Sequence, residues 1–326
     1  MRVHITTRIH SEPWGGGNQF LASLKSFFQQ EGWYEDTLEN ADLVLFDSYQ
    51  QLGKLLECRK KYPQKKIIYR LGPVFFYHRG KWWKQVDRLM TCIASLFVDG
   101  VVFQSEWSKQ QFIQLGFKNT LSKIILNAPG EYFVFSDGDQ KKELHRIPRL
   151  ISMSWSKNYN KGFEFFQKLD RLIGEKKYEM AFIGNSPIEF QHIKNLGVQE
   201  KENIKKQILE HDIFVAPFRY EACSNAILEA LACGLPVVAL GSGGNKELVG
   251  KGGEVFDDFD QMLDKIDMVV NDYQKYRSNI SFQNIQEIGQ QYTLFFQKIL
   301  KQPSRSVTRL QLFFMVVQVK IMKMLS

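Results

Sequence analysis

The chain has 326 residues, 44% of them apolar, with 43 Lys and Arg against 35 Asp and Glu for a net charge of +8. That balance excludes a disordered or collagen-like polymer, and at roughly 100–200 residues per domain the length predicts two domains, each able to bury a core. The four cysteines, Cys58, Cys92, Cys223 and Cys233, lack CxxC or metal-ligand spacing, which argues against a disulfide framework or structural zinc and fits a reducing compartment.

Met1-Arg2-Val3-His4-Ile5 enters a strand pattern directly, with no apolar run leading to a small-residue cleavage site, so the expected location is cytoplasmic. Strands are predicted at Val3–Thr7, Leu43–Asp47, Lys66–Arg70, Val101–Gln104 and Lys123–Leu126, with amphipathic helices near Phe20–Gln30, Leu52–Tyr62, Val86–Leu96 and Trp107–Leu115. From Glu131 to Pro148 the pattern lapses into Gly, Asp, Lys and Pro, the signature of a linker. It restarts with strands at Leu150–Ser154, Met180–Ile183, Ile213–Ala216, Val237–Leu240 and Glu254–Phe256 and helices at Phe163–Ile173, Lys201–Glu210, Asn225–Cys233 and Phe259–Val270. Strand–helix alternation of this kind predicts an α/β fold of two doubly wound parallel sheets, with ligands in the crevice at the carboxyl ends of the strands. The expected boundaries are a first domain over 1–130, a linker over 131–148, a second domain over 149–280 and C-terminal helices over 281–326 that return to the first domain or touch a membrane.

The charge is local. Residues 301–326 hold Lys301, Arg305, Arg309, Lys320 and Lys323 and no acid, leaving only +3 for the remainder, so nucleic acid is not an expected partner. The same tail places Leu310, Phe313, Phe314, Val317, Ile321 and Met324 at helical spacing, with Leu312, Val316 and Val319 on the opposite side. Its apolar stretch is short of the roughly 20 residues that span a bilayer. Two readings stand side by side: a helix lying on an anionic membrane surface, and a terminal helix packed between domains. A second basic region, Lys54, Arg59, Lys60, Lys61, Lys65 and Lys66, precedes Tyr77-His78-Arg79-Gly80-Lys81-Trp82-Trp83-Lys84, where cations beside tryptophans also suit a headgroup layer.

The segment richest in chemistry is Pro217 to Ala239. Ser224 or Asn225 can cap a helix that Gly234 and Pro236 stop, and a buried strand ends just before it at Pro217. The amides at that helix start, Ser224 to Ala226, offer an anion site suited to a diphosphate. Glu221 falls on the loop at the strand's carboxyl end; Glu229 lies within the helix, where a carboxylate can take two hydrogen bonds from a ribose diol. Asp137-Gly138-Asp139 and Asp258-Phe259-Asp260 are DxD strings that could hold a divalent cation, but a pattern break and a helix start explain them as well. His78 follows the third strand and is the candidate among six histidines for a polar group beside an acceptor; Arg70, ending that strand, either faces the cleft or pairs with a neighbouring acid.

Glu221 and Glu229, with seven residues between them and Ala230-Leu231-Ala232-Cys233-Gly234-Leu235-Pro236-Val237-Val238 following, resemble the E-x7-E signature of retaining GT-B glycosyltransferases of family 4, the glycosyl transferases group 1. Gly15-Gly16-Gly17-Asn18, Phe103-Gln104-Ser105-Glu106-Trp107-Ser108, Asn127, Lys161-Gly162 and Gly243-Gly244-Asn245-Lys246-Glu247-Leu248 follow that family's order over about residues 1–260. The resemblance implies a GT-B fold of two Rossmann-like domains facing a central cleft, the acceptor in the first and the nucleotide-sugar donor in the second. It further implies that Glu229 binds the ribose, that Glu221 faces the sugar near the reacting centre, and that Lys161 neutralises the donor diphosphate. Gly16 and Gly17 would let backbone approach a substrate closely. The family pattern carries an arginine five residues before the lysine, where this chain has Ser156, and Lys157 is the stand-in, although an ammonium does not copy a guanidinium fork.

The expected function is metal-independent, cofactor-free transfer of a sugar from a nucleotide-diphosphate-sugar to a glycan or lipid-linked acceptor with retention of configuration, as in cell-surface polysaccharide or glycolipid synthesis. The alternatives are a non-catalytic nucleotide-sugar-binding scaffold, which Ser156 permits, and a nucleotide-sugar epimerase on the same fold.

Overall fold

The computed structural model describes residues 1–8, 16–47, 49–118, 120–134, 143–173 and 177–325. The chain divides into two compact units, one built from Met1–His10, Leu21–Leu126 and Ile285–Ser326, the other from Ser11–Phe20 and Asn127–Asn284. The change of unit at Asn127 precedes the expected linker. Its cause is polar: Asn127 donates from Nδ2 to Asn225 Oδ1 at 2.7 Å and from its backbone N to Cys223 Sγ at 3.3 Å. The four cysteines are free thiols.

The first unit carries five parallel strands, β1 (Val3–Ile5), β2 (Leu43–Asp47), β3 (Lys66–Leu71), β4 (Gly100–Phe103) and β5 (Leu121–Ile124), in that spatial order. On the free side of β1, Tyr34 forms a parallel bridge with Val3, held by Val3 N to Trp33 O at 2.7 Å and Glu35 N to Val3 O at 2.9 Å. The chain therefore leaves β1 in one direction for Tyr34 and crosses to its other side for β2. This reversal makes the sheet doubly wound.

Residues of alternate parity face opposite ways. Val44, Phe46, Ile67, Tyr69, Val101 and Phe103 pack with helices Leu52–Lys61 and Trp83–Leu96 into one core. Helices Gly16–Gln30 and Ile285–Leu300 pair through Phe28 on Phe296, ring centroids 5.8 Å apart. Gly289 lets them approach: a Cβ there would sit 2.5 Å from the Phe27 ring. Ile299 fills the space over Gly100 against Ile68.

The terminal helix Arg309–Leu325 packs on Leu52–Lys61 and Trp83–Leu96, burying Leu312, Met315, Val319 and Met322 in the first unit's core. The segment leading into it is pinned by polar bonds. Lys66 Nζ donates to Gln302 O at 2.5 Å, Ser304 Oγ to Gln64 O at 2.9 Å, and Arg305 N to Asp99 Oδ1 at 2.7 Å. Asp99 also accepts from Ile67 N at 2.8 Å and forms a short ion pair with Arg59, both side chains nearly fully buried. The remaining Arg59 donors reach Phe97 O, Pro63 O and Lys65 O. Part of the basic stretch read from the sequence is thus internal. In the aromatic one, Arg79 is exposed yet already engaged, its guanidinium 4.5 Å over the Trp83 ring and also facing Tyr49 and Phe75.

The second unit holds β6 (Arg149–Ser154), β7 (Glu179–Gly184), β8 (Lys194–Asn195), β9 (Ile213–Ala216), β10 (Val237–Leu240) and β11 (Gly253–Phe256), all parallel, in the order β11-β10-β9-β6-β7-β8. The chain winds outward from β6 through β7 to β8, then returns to β9 on the other flank of β6. The topological switch point, where open α/β sheets bind ligands, lies between the carboxyl ends of β6 and β9. Among the described residues no helix is long and apolar enough to cross a membrane.

Candidate functional site

Both halves of the switch point carry predicted site residues. After β6 the chain runs through Trp155, Ser156 and Lys157 into a 3-10 turn at Tyr159–Lys161, capped by Gly162 with φ 77°. A Cβ on Gly162 would meet Pro217 O at 2.4 Å, so only glycine lets this turn lie against the end of β9. Arg219 N donates to Asn160 O at 2.7 Å and ties the two loops together.

From the β9 side, Glu221 Oε1 accepts from Lys161 Nζ at 2.6 Å, with both side chains about one-fifth exposed. The ammonium also lies 5.0 Å over the Phe218 ring. Glu221 is held from behind. Its carbonyl accepts from Gly244 N at 2.8 Å, and Gly243, with φ 66°, has Glu221 O only 2.2 Å from where a Cβ would stand. Tyr220 adopts φ 59°, unusual for a non-glycine residue, with its N donating to Ser242 Oγ at 3.1 Å. Asn245 Nδ2 bridges Phe218 O and Leu240 O, joining the ends of β9 and β10.

The helix Asn225–Ala232 opens immediately beyond. Ser224 is its N-cap residue by backbone geometry, yet its hydroxyl makes no cap bond, and Asn225 directs its Oδ1 to Asn127 instead. The Ser224 hydroxyl therefore leaves the first-turn amides uncapped, and amides at a helix start, here those of Ala226 and Ile227, are the kind of donor an anion uses. Glu229, one turn in, is 9% exposed, and burial, opposed only by Lys201, pushes its carboxyl from the usual 4.5 up to about 8. The folded protein therefore retains a proton that the unfolded chain releases between these values, and stability falls as pH rises from about 5 through 8. Glu229→Gln is expected to flatten that slope in urea titrations across this range. Glu229→Ala, losing two neutral hydrogen bonds to the ribose diol worth roughly 0.5–1.5 kcal/mol each, is expected to weaken nucleotide binding about tenfold to a hundredfold by calorimetry.

Lys161 and Glu221 are thus brought into contact, and Ser224, Asn225, Ala226 and Glu229 follow Glu221 on the adjoining helix and its N-cap. Lys157 lies on the β6 loop, exposed and, among the described residues, without an acidic partner. Gly16 and Gly17 form the first turn of helix Gly16–Gln30 rather than a loop, Gly17 with open space where a Cβ would stand; Gly15 falls outside the described residues. His78 sits half-buried on the short helix Phe76–Arg79 of the first unit. Arg70 is committed to Asp47 at 2.7 Å, the pairing alternative of the two expected. Asp137 and Asp139 fall outside the described residues, whereas Asp258 N-caps helix Phe259–Asn271 through Gln261 N at 2.9 Å.

Sequence reasoning gave no role to Asn127, Arg219 or Asn245. Their function is to pin loops, and only the Gly-Gly before Asn245 signalled that backbone comes close there.

Residues 148–272 match the family model of glycosyl transferases group 1. Over 91% of its length the chain superposes on all of HepE from Anabaena, solved in complex with UDP, with a TM-score of 0.72 and 17% identity. It also superposes on sucrose-phosphate synthase from Thermosynechococcus elongatus (TM-score 0.69, 12% identity, 91% of this chain and 98% of that one). The lipopolysaccharide outer core galactosyltransferase WaaB matches with a TM-score of 0.66 and 14% identity over 91% of this chain and all of that one. The two parallel-sheet units are those of the GT-B glycosyltransferase fold. Among curated proteins, an uncharacterized 41.2 kDa protein in the cps region of Klebsiella pneumoniae is 24% identical over 199 residues, 56% of this chain. The match spans about half, 53%, of that relative's length.

Proposed function

We propose that the protein is a retaining glycosyltransferase of family 4, moving a sugar from a nucleoside-diphosphate sugar to a glycan or lipid-linked acceptor at the cytoplasmic face of a membrane. The observation that carries this reading is the Lys161–Glu221 pair at the switch point, beside an uncapped helix start and a buried Glu229. The UDP complex of HepE supports a nucleotide in that crevice, and the cps-region relative supports polysaccharide synthesis as the setting.

As the bond from the anomeric carbon to the β-phosphate oxygen lengthens, negative charge gathers on the leaving phosphate. The Lys161 ammonium and the Ala226 and Ile227 amides are fixed donors for that charge and need little reorganisation. Glu221 holds the ammonium in place before the donor arrives and lies against the sugar afterwards. Glu229 takes the ribose diol, and Lys157 adds charge near the diphosphate. The acceptor hydroxyl adds on the face the phosphate leaves, passing its proton to that phosphate, with His78 assigned to the acceptor side.

The test is a panel of UDP-, GDP- and ADP-sugars given to the purified protein with and without acceptor. Free nucleotide released only with acceptor separates transfer from epimerisation and from binding alone, and the anomeric configuration of the product reports retention. Transfer is expected to persist in EDTA, because the lysine and amides supply the charge that a cation otherwise would. Activity lost in EDTA and restored by manganese would move the reading to Asp137 and Asp139.

A further inference from the structure

The terminal helix is apolar on two opposite sides. Leu312, Met315, Val319 and Met322 face the core, while Leu310, Phe313, Phe314, Val317, Ile321 and Met324 stand 38–85% exposed. At 3.6 residues per turn the exposed set forms one outward stripe on the side of the helix away from the core, about 20 Å long. Arg309 and Lys320 flank it along one side, and Gln311 and Gln318 along the other. On the cationic side the helix shares a groove of about 1340 Å³ with Leu52–Lys61, floored by Leu56, Leu312 and Val316 and lined by Lys54, Lys60, Arg309 and Lys320. Glu57 is the acidic residue in that lining. Among the described residues none of these four cations has a carboxylate partner.

We infer that this stripe and groove form a docking surface for an anionic lipid bilayer, with the helix lying flat in the interface and a phosphate headgroup seated among the four cations. An apolar stripe beside a row of cations is the chemistry of an interfacial helix, whose side chains enter the acyl boundary while the cations stay at the headgroups. A second copy of the chain is the poorer occupant, because a two-fold contact would bring the same cations together. The inner side of the helix is already fixed by the core and by the Arg305–Asp99 bond, so docking requires no refolding.

The experiment is flotation of the full chain with vesicles of phosphatidylcholine alone or mixed with phosphatidylglycerol. Wild type is expected to float only with the anionic vesicles, and less as salt rises. Arg309→Glu with Lys320→Glu is expected to lower partition at least about tenfold, as is Phe313→Ser with Phe314→Ser. All four positions are exposed, so unfolding midpoints and nucleotide affinity should stay at the wild-type level. Wild type that fails to float, or either variant floating like wild type, overturns the proposal. A wild-type dimer that the serine variant converts to monomer assigns the stripe to a second copy. Nucleotide affinity is read separately, so failure of the donor-site reading and failure of this one are distinguishable.

Discussion

Lys161→Ala is expected to lower transfer by a factor on the order of 10²–10³, the cost of removing one preorganised donor to developing charge. The variant also strips Glu221 of its partner at 2.6 Å and leaves a half-buried carboxylate beside an incoming diphosphate. Nucleotide affinity should therefore fall as well. Lys161→Arg restores the charge but not the short reach, and should recover binding more than turnover. Because the two residues act as a pair, Glu221→Gln with Lys161→Ala should cost clearly less than the two single effects combined. A folded Lys161→Ala protein whose kcat/KM falls less than tenfold would remove the ammonium from the reacting centre.

The second large effect concerns stability. Asp99 binds the Arg59 side chain and the backbone amides of Ile67 and Arg305 from a nearly fully buried position. Asp99→Ala leaves the Arg59 guanidinium buried without a counter-charge and is expected to cost about 3–5 kcal/mol. Replacing both partners, Arg59→Met with Asp99→Leu, should cost less than the single change, because no buried charge remains. Chemical denaturation of the three variants checks both statements. Equal stability of Asp99→Ala and wild type would show that water reaches the site.

Periodicity located most of the architecture. The runs at Leu43–Asp47, Ile213–Ala216 and Val237–Leu240 are short, apolar and bounded by turn residues, and the structure has strands with those bounds. It did not locate β8, two exposed residues without alternation, nor the start of the first helix at Gly16, where two glycines carry no helical signal of their own. The terminal helix was legible as two apolar stripes. Which of them turns inward was not, because both are apolar and only the space between Leu52–Lys61 and Trp83–Leu96 selects Leu312, Met315, Val319 and Met322. For the site, helix-start chemistry exposed the Ser224 region, whereas Lys161 and Glu221, sixty positions apart, came together only through the resemblance. The Asp99 cluster left no trace, since its members are 40 and 206 positions from Asp99 and each alone reads as a surface charge.

The first unit's helix pairing sets an order of events on the ribosome. Its five strands are synthesised early, but the helix that supplies Phe296 and Ile299 begins at Ile285, about 160 residues after Leu126. At roughly 5–20 residues per second, Phe28 and the Ile68 side of the nascent sheet wait on the order of ten to thirty seconds for their cover. The second unit, all of whose residues precede Ile285, completes its own core first. An uncovered sheet face during that interval is a surface for chaperones to hold, so the unit begun first is the last to finish folding.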